Sequence, residues 1–281
     1  LRALLLDKSA PACKNHLICK GERLSNMKTI NVRGVILGEG RTKIICPVVD
    51  TALDAALATV ERAKRLHVDA IEYRADWSGN VRDTDKLMHD LCRVRECLGE
   101  RPLMFTFRSV PEGGHAELPR DEYIALVRAA IDSGCVDMID IEHCVGDAAA
   151  EELIAHARAK GVVSLYSYHN FDETPETEWI CKLITHARGL GADIPKCAVM
   201  ARGRGDLVKL LSATERMTRD ENDTPVLTVA MGADGVLSRL AGEVFGSCMT
   251  FCTVNASSAP GQVDCERAYA AISALHDCIT E

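Results

Sequence analysis

The stretch TKIICPVVDTALDAA, residues 42–56, decides the fold. TKIICPVV (42–49) is a short, mostly apolar run, the right length for a strand buried on both faces and too short for a core helix. It passes directly into the helical pattern of residues 51–66, with no glycine-rich phosphate loop between them. An open, doubly wound sheet usually carries that loop after its first strand. Its absence favours a closed barrel.

Outward from this stretch, the same strand-then-helix unit recurs. DAIEYRAD (69–76) precedes a helix at 84–98, PLMFTFRS (102–109) one at 120–133, and VDMIDIEH (136–143) one at 148–160. Gly134 and Gly161 stand where the last two of these helices should close. VVSLYSYH (162–169) precedes 174–188, IPKCAVMA (194–201) precedes 205–219, PVLTVAMG (225–232) precedes 234–246, and MTFCTVN (249–255) precedes 261–279. Upstream, 28–33 and 35–37 flank Gly34 and read as a β-hairpin. Eight units in roughly 240 residues have the size and rhythm of an α/β, (β/α)8 TIM barrel, here with an N-terminal β-hairpin. Residues 27–281 are expected to form this single catalytic domain. Residues 1–26 lack periodicity, and their apolar opening ends at Asp7 and Lys8, too early for a secretory signal. They are expected to be a non-native or disordered extension, with Met27 the natural start.

Composition narrows the classes. Of 281 residues, 47% are hydrophobic and 26% charged, with a net charge of −8. An acidic balance with no basic block argues against nucleic acid as a partner. No apolar run approaches the ~18–20 residues of a membrane-spanning helix. The thirteen cysteines include no CxxC pair. Cys46, Cys135, Cys197 and Cys252 sit inside apolar segments and read as reduced, buried small hydrophobes of a cytoplasmic protein rather than as a zinc site.

In barrels of this kind, chemistry collects at the C-terminal ends of the strands. Those ends carry Glu72, Arg74 and Asp76; Arg108, followed by Glu112; Asp140, Glu142 and His143; Ser167, Tyr168 and His169; Lys196; Met231, with Arg239 beyond it; and finally Ser257–Gln262. Each has a structural reading: Glu72 and Arg74 as an ion pair, or Lys196 with its stem packed and its charge at the rim. Their convergence on one mouth outweighs those readings. A lysine amid Ile194, Cys197, Ala198 and Val199 is desolvated, and burial near arginines favours its neutral, nucleophilic form. Such an amine attacks ketones to give a Schiff base that acidifies the neighbouring carbon. His169 can then act as base, oriented by Asp140 or Glu142, while the arginines hold a carboxylate. The reading is a Schiff-base enzyme for a small oxo-acid.

These residues also carry a resemblance. FTFRSVPEGG (105–114), VDMIDIE (136–142), DIPKCAVM (193–200), SRLAGEVFGS (238–247) and SAPGQ (258–262) resemble the type I 3-dehydroquinate dehydratase family, in order and from about Lys28 to the C-terminus. The resemblance implies conversion of 3-dehydroquinate to 3-dehydroshikimate in the shikimate pathway, by syn elimination of water through a lysine imine. It implies Lys196 as the imine-forming residue, His169 as general acid and base, and Glu112 beside His169. Arg239, Ser258 and Gln262 would take the substrate carboxylate; Glu72, Arg74 and Arg108 the ring hydroxyls. Met231 and Phe251 would form an apolar wall, and Ser257–Gln262 a lid. No cofactor and no metal are implied, and a homodimer is.

Departures from the family pattern are Tyr168, Asn170, Val229 and the basic ARGRGD after the lysine strand. None removes a catalytic group. A class I aldolase would use the same lysine and barrel, but the glycine-rich phosphate nest it often carries after strand seven or eight is missing. A non-catalytic sensor could lose Lys196 or His169, and both are present.

Overall fold

The computed structural model describes residues 28–219 and 224–281; the expectations placed on residues 1–26 and on Met27 lie outside them. A short antiparallel hairpin comes first, β1 (Ile30–Val32) and β2 (Val35–Leu37). Eight parallel strands follow: β3 (Lys43–Val48), β4 (Ala70–Arg74), β5 (Leu103–Thr106), β6 (Met138–Glu142), β7 (Val163–Asn170), β8 (Ile194–Met200), β9 (Leu227–Met231) and β10 (Met249–Thr253). Between them run α1 (Leu53–Ala63), α2 (Thr84–Leu98), α3 (Arg120–Asp132), α4 (Asp147–Ala159), α5 (Thr177–Gly189), α6 (Arg204–Arg219), and the short α7 (Val236–Leu240) and α8 (Gly242–Phe245). A two-residue β11 (Val263–Asp264) and α9 (Cys265–Thr280) complete the chain. From β3 to β9 each strand pairs with the next, and β10 pairs with β3. The ring closes more loosely between β9 and β10, through the bridge Val226↔Ser247 and the Cys248 N–H donated to the Val226 carbonyl at 2.9 Å. This is the expected (β/α)8 barrel with its hairpin.

The two-residue period of a strand explains the layering. Outward positions such as Ile44, Ile71, Phe105, Ile139 and Ile141 pack under the helices. Inward positions low on the strands (Ile45, Ala70, Met104, Met138, Leu165, Ile194, Leu227 and Met249) form an apolar floor. Val32 and Leu37 of the hairpin belong to that floor and seal the N-terminal end of the barrel. Two residues further along, the inward positions on five successive strands turn polar: Glu72, Thr106, Asp140, Ser167 and Lys196, all buried. Such a layer is stable only if its members satisfy one another.

Three local expectations are corrected. The helix expected at 234–246 is broken: a 3-10 turn (Ala233–Gly235) leads into α7, and Ala241, with φ −103° and ψ 25°, separates α7 from α8. The last helix starts at Cys265, not 261, because Asp264 caps it, accepting from the Glu266 and Arg267 N–H groups at 3.1 and 3.2 Å. Cys135 is not a free thiol. It is disulfide-bonded to Cys92, because the middle of α2 meets the turn after α3 there with 5.4 Å between the two Cα atoms. Cys46, Cys197 and Cys252 are free and buried.

Candidate active site

The polar layer opens into a cavity at the C-terminal mouth of the barrel. The eleven residues to which the resemblance gave roles all line it: Glu72, Arg74 and Arg108; Glu112, His169 and Lys196; Met231, Arg239 and Phe251; Ser258 and Gln262. The backbone brings them there by the same alternation that builds the floor. Lys196 stands two residues above Ile194 on β8, and His169 four above Leu165 on β7.

Lys196 is 5% exposed, so its ammonium does not reach the rim. Its Nζ donates to Asp140 Oδ2 at 2.7 Å and lies 4.7 Å from the centre of the Phe251 ring. Burial lowers its pKa and the Arg108 charge adds to the effect, with Asp140 pulling the other way. Asp140 is fully buried, and its Oδ1 accepts from the Ser167 hydroxyl at 2.5 Å. Burial works against its charge, yet Arg108 and Lys196 together hold its carboxyl well below the ordinary range.

Arg108 is the hub of the layer. Its Nη1 donates to Glu142 Oε1 at 2.8 Å and to Ser167 Oγ at 3.0 Å. Its Nη2 lies 2.8 Å from Asp140 Oδ2, a charge contact without hydrogen-bond alignment. Arg74 grips Asp76 through two bonds of 2.8 Å, so the purely structural Glu72–Arg74 ion pair is not formed; Glu72 Oε1 accepts instead from Thr106 Oγ1 at 2.9 Å.

The imidazole is oriented by neither Asp140 nor Glu142. Both carboxylates are committed to Lys196 and Arg108, and the group at His169 Nδ1 is Glu112 Oε2, at 2.9 Å. Glu112 belongs to a 3-10 turn after β5 (Val110–Glu112), stapled by the Gly114 N–H to the Ser109 carbonyl. Burial pushes its carboxyl up to about 8, and Glu142 and Asp140 push the same way against Arg108. Burial lowers the His169 pKa well below its usual value, helped by Arg108 and Lys196.

Arg239, on α7, is 1% exposed, and its Nε has no hydrogen-bond partner among the described residues. Its Nη2 donates to the Pro260 carbonyl at 3.1 Å. Burial brings its pKa down to about 10. An unsatisfied buried guanidinium donor in a cavity wall is a ready site for a carboxylate. Residues 257–262 arch over the same wall: Gln262 Nε2 donates to Ser258 Oγ at 2.8 Å, and the Gly232 N–H to the Pro260 carbonyl at 3.2 Å. The arch rests on Gly261 (φ +76°), where a Cβ would come within 2.4 Å of the Gly232 carbonyl oxygen.

Sequence reasoning missed Phe171, which also lines the cavity. Its ring covers Gly113 so closely that a Cβ there would come within 2.2 Å of it. Counting two residues on from His169 would have put it on the inward side. Ala198, Val229 and Ala259 complete the wall. Among the described residues, no group of three or more His, Cys, Asp or Glu side chains is placed to hold a metal ion, and no helix is long and apolar enough to cross a membrane.

The family model described as type I 3-dehydroquinase matches residues 44–278. The chain is 40% identical to the 3-dehydroquinate dehydratase of Salmonella agona over 250 residues, 89% of this chain and 99% of that one. Its structure is similar to type I 3-dehydroquinate dehydratase from Clostridium difficile, solved with covalently modified comenic acid, with a TM-score of 0.87 and 36% identity over 90% of this chain and 99% of that chain. A similar match is the Geobacillus kaustophilus 3-dehydroquinate dehydratase, with a TM-score of 0.86 and 35% identity over 89% and 97% of the two chains.

Proposed function

The chain belongs to the type I 3-dehydroquinase family, and from that premise we propose that it works through an imine between Lys196 and its substrate. Dehydration of 3-dehydroquinate, a hydro-lyase reaction, is its activity. The observation that carries the imine route is the buried Lys196 amine, its pKa lowered, sharing one cavity with the His169–Glu112 pair. The amine adds to the substrate ketone, and the oxygen leaves as water. The resulting iminium draws electrons from the adjacent carbon, whose proton passes to His169. The imidazole then protonates the departing hydroxyl on the same face, giving syn elimination, and hydrolysis frees the enone.

In this reading the unsatisfied Nε of Arg239 takes the substrate carboxylate, with Ser258 and Gln262 beside it. Glu72, Arg74 and Arg108 meet the ring hydroxyls, and Met231 and Phe251 keep water off the imine. Arg108 is the most heavily committed of these, so its part is as much to hold Glu142 and Asp140 as to touch substrate. Residues 257–262 serve as the lid. A homodimer, a cytoplasmic location and a place in the shikimate pathway belong to the same reading.

The test is intact mass after incubation with 3-dehydroquinate and borohydride, followed by peptide mapping. A reduced adduct on Lys196 supports the imine route. Turnover with no adduct on that residue would remove it.

A further inference from the structure

Asp140 has no part in the scheme above, yet it is the closest charged neighbour of the nucleophile, at 2.7 Å from Nζ. Its position is built rather than incidental. Asp140 is fully buried on β6, the Ser167 hydroxyl donates to its Oδ1 at 2.5 Å, and Arg108 Nη2 stands 2.8 Å from its Oδ2. Its second oxygen therefore faces Nζ and nothing turns it away.

Resting on the imine reading, we propose that Asp140 is a catalytic counter-ion, fixed on Nζ, that holds the positive charge of Lys196 both as ammonium and as substrate iminium. The balance of the step supports this. Lys–NH3⁺ and the ketone give Lys–N(H)⁺=C and water; two ammonium protons leave with the carbonyl oxygen, and the third stays on nitrogen. The charge at Nζ is thus the same before and after, and vanishes only in the free amine and the carbinolamine. A carboxylate that stays ionised and in place matches both charged states without moving, which is electrostatic preorganisation. The iminium N–H retains the Oδ2 acceptor that the ammonium had. Keeping the imine protonated is what preserves it as an electron sink while His169 removes the proton.

This assignment makes two effects run in opposite directions. In Asp140→Asn the amine loses the charge that keeps it protonated, so its apparent pKa falls and it labels faster with acetic anhydride at neutral pH. Turnover should nevertheless drop by roughly 10²-fold, the scale for removing one preorganised electrostatic partner. A merely structural part would give the other sign: loosened packing admits water and moves the amine back toward its ordinary, higher value. Competitive acetic anhydride labelling across pH, mapped at Lys196, reads the first effect, and steady-state turnover reads the second. Asp140→Glu, which keeps the charge, should recover at least part of the lost rate. Unchanged or raised lysine pKa in Asp140→Asn, or unchanged turnover, overturns the proposal.

If both variants fail to fold, the wild-type protein still decides. With product bound, ¹⁵N NMR of labelled Lys196 should report an iminium that stays protonated through neutral pH, because a fixed anion resists its deprotonation. Deprotonation at or below neutral pH would overturn the assignment. Borohydride trapping of the wild type separates the two layers: no adduct on Lys196 sinks the imine reading itself, whereas an adduct with an ordinary, easily deprotonated iminium sinks only Asp140.

Discussion

Glu112 Oε2 lies 2.9 Å from Nδ1 of His169, joining a loop carboxyl to a strand imidazole inside the barrel mouth. Burial raises the carboxyl to about 8 and lowers the imidazole, so both groups favour their uncharged forms. Below about pH 8 the carboxyl keeps its proton and points it at Nδ1, and the ring hydrogen sits on Nε2. Above it the carboxylate accepts from Nδ1–H and frees Nε2 as a base. Turnover should rise as pH rises through about 8, and Glu112→Gln, which cannot ionise, should lack that limb. Profiles of kcat against pH for the two proteins check this; superimposable limbs would sink it.

The same carboxyl should leave a mark on stability. Its folded value of about 8 lies above the ordinary 4.5, so the folded state holds the proton more tightly. That contribution is complete below 4.5 and is lost as pH rises through about 8. Glu112→Gln removes the group, so its melting temperature relative to wild type should climb between acid and alkaline pH. A shift of roughly 2–6 °C corresponds to on the order of 1–2 kcal/mol in a chain of this size. Parallel melting curves across that range would contradict it.

Lys196→Ala should cost about 10⁴-fold or more in turnover, since no other group can form the imine. The fold should persist, because Asp140 keeps Ser167 and Arg108 as partners. Circular dichroism and turnover measured on one preparation test the pair of statements. Activity within tenfold of wild type would remove the lysine from the chemistry.

Arg239→Lys shortens the reach of the cation and removes the Nε donor that has no partner of its own. The expected result is a rise in KM of about 10- to 100-fold with a smaller change in kcat, the pattern of a lost charge-assisted binding contact. Steady-state kinetics decide; an unaltered KM would take the carboxylate away from this residue.

Gly261→Ala places a methyl group 2.4 Å from the Gly232 carbonyl and strains a backbone at φ +76°. The lid should then close poorly, lowering kcat/KM roughly tenfold while leaving the melting temperature within a few degrees. Faster proteolytic cleavage within 257–262 would accompany it. An unaffected kcat/KM would mean that closure does not limit the reaction.

Much of this was legible in the chain. Eight apolar runs with helical spacers declare the barrel, and a lysine placed among Ile194, Cys197 and Val199 marks the residue proposed as nucleophile. Strand alternation says which face a residue takes, but not which neighbour it meets across the barrel. Asp140 and Glu142 were therefore visible as inward carboxylates, while their partners, Lys196 and Arg108, were not. His169 is met by Glu112 from a 3-10 turn, and the reach of such a turn has no period to read. Phe171, one residue past the end of β7, was within reach of the strand count from His169. The Cys92–Cys135 bond depends on how two helices lean together, which spacing along the chain does not encode.

The loose joint between β9 and β10 gives the barrel the character of a bracelet with a clasp. Arg239 hangs from the chain on one side of the clasp, after β9, and Ser258 and Gln262 hang from the other, after β10. The Pro260 carbonyl latches the two sides together, accepting from Arg239 Nη2 and from the Gly232 N–H. On the proposed reading, an anion held by Arg239 on one side and by Ser258 and Gln262 on the other adds a second latch across the same clasp.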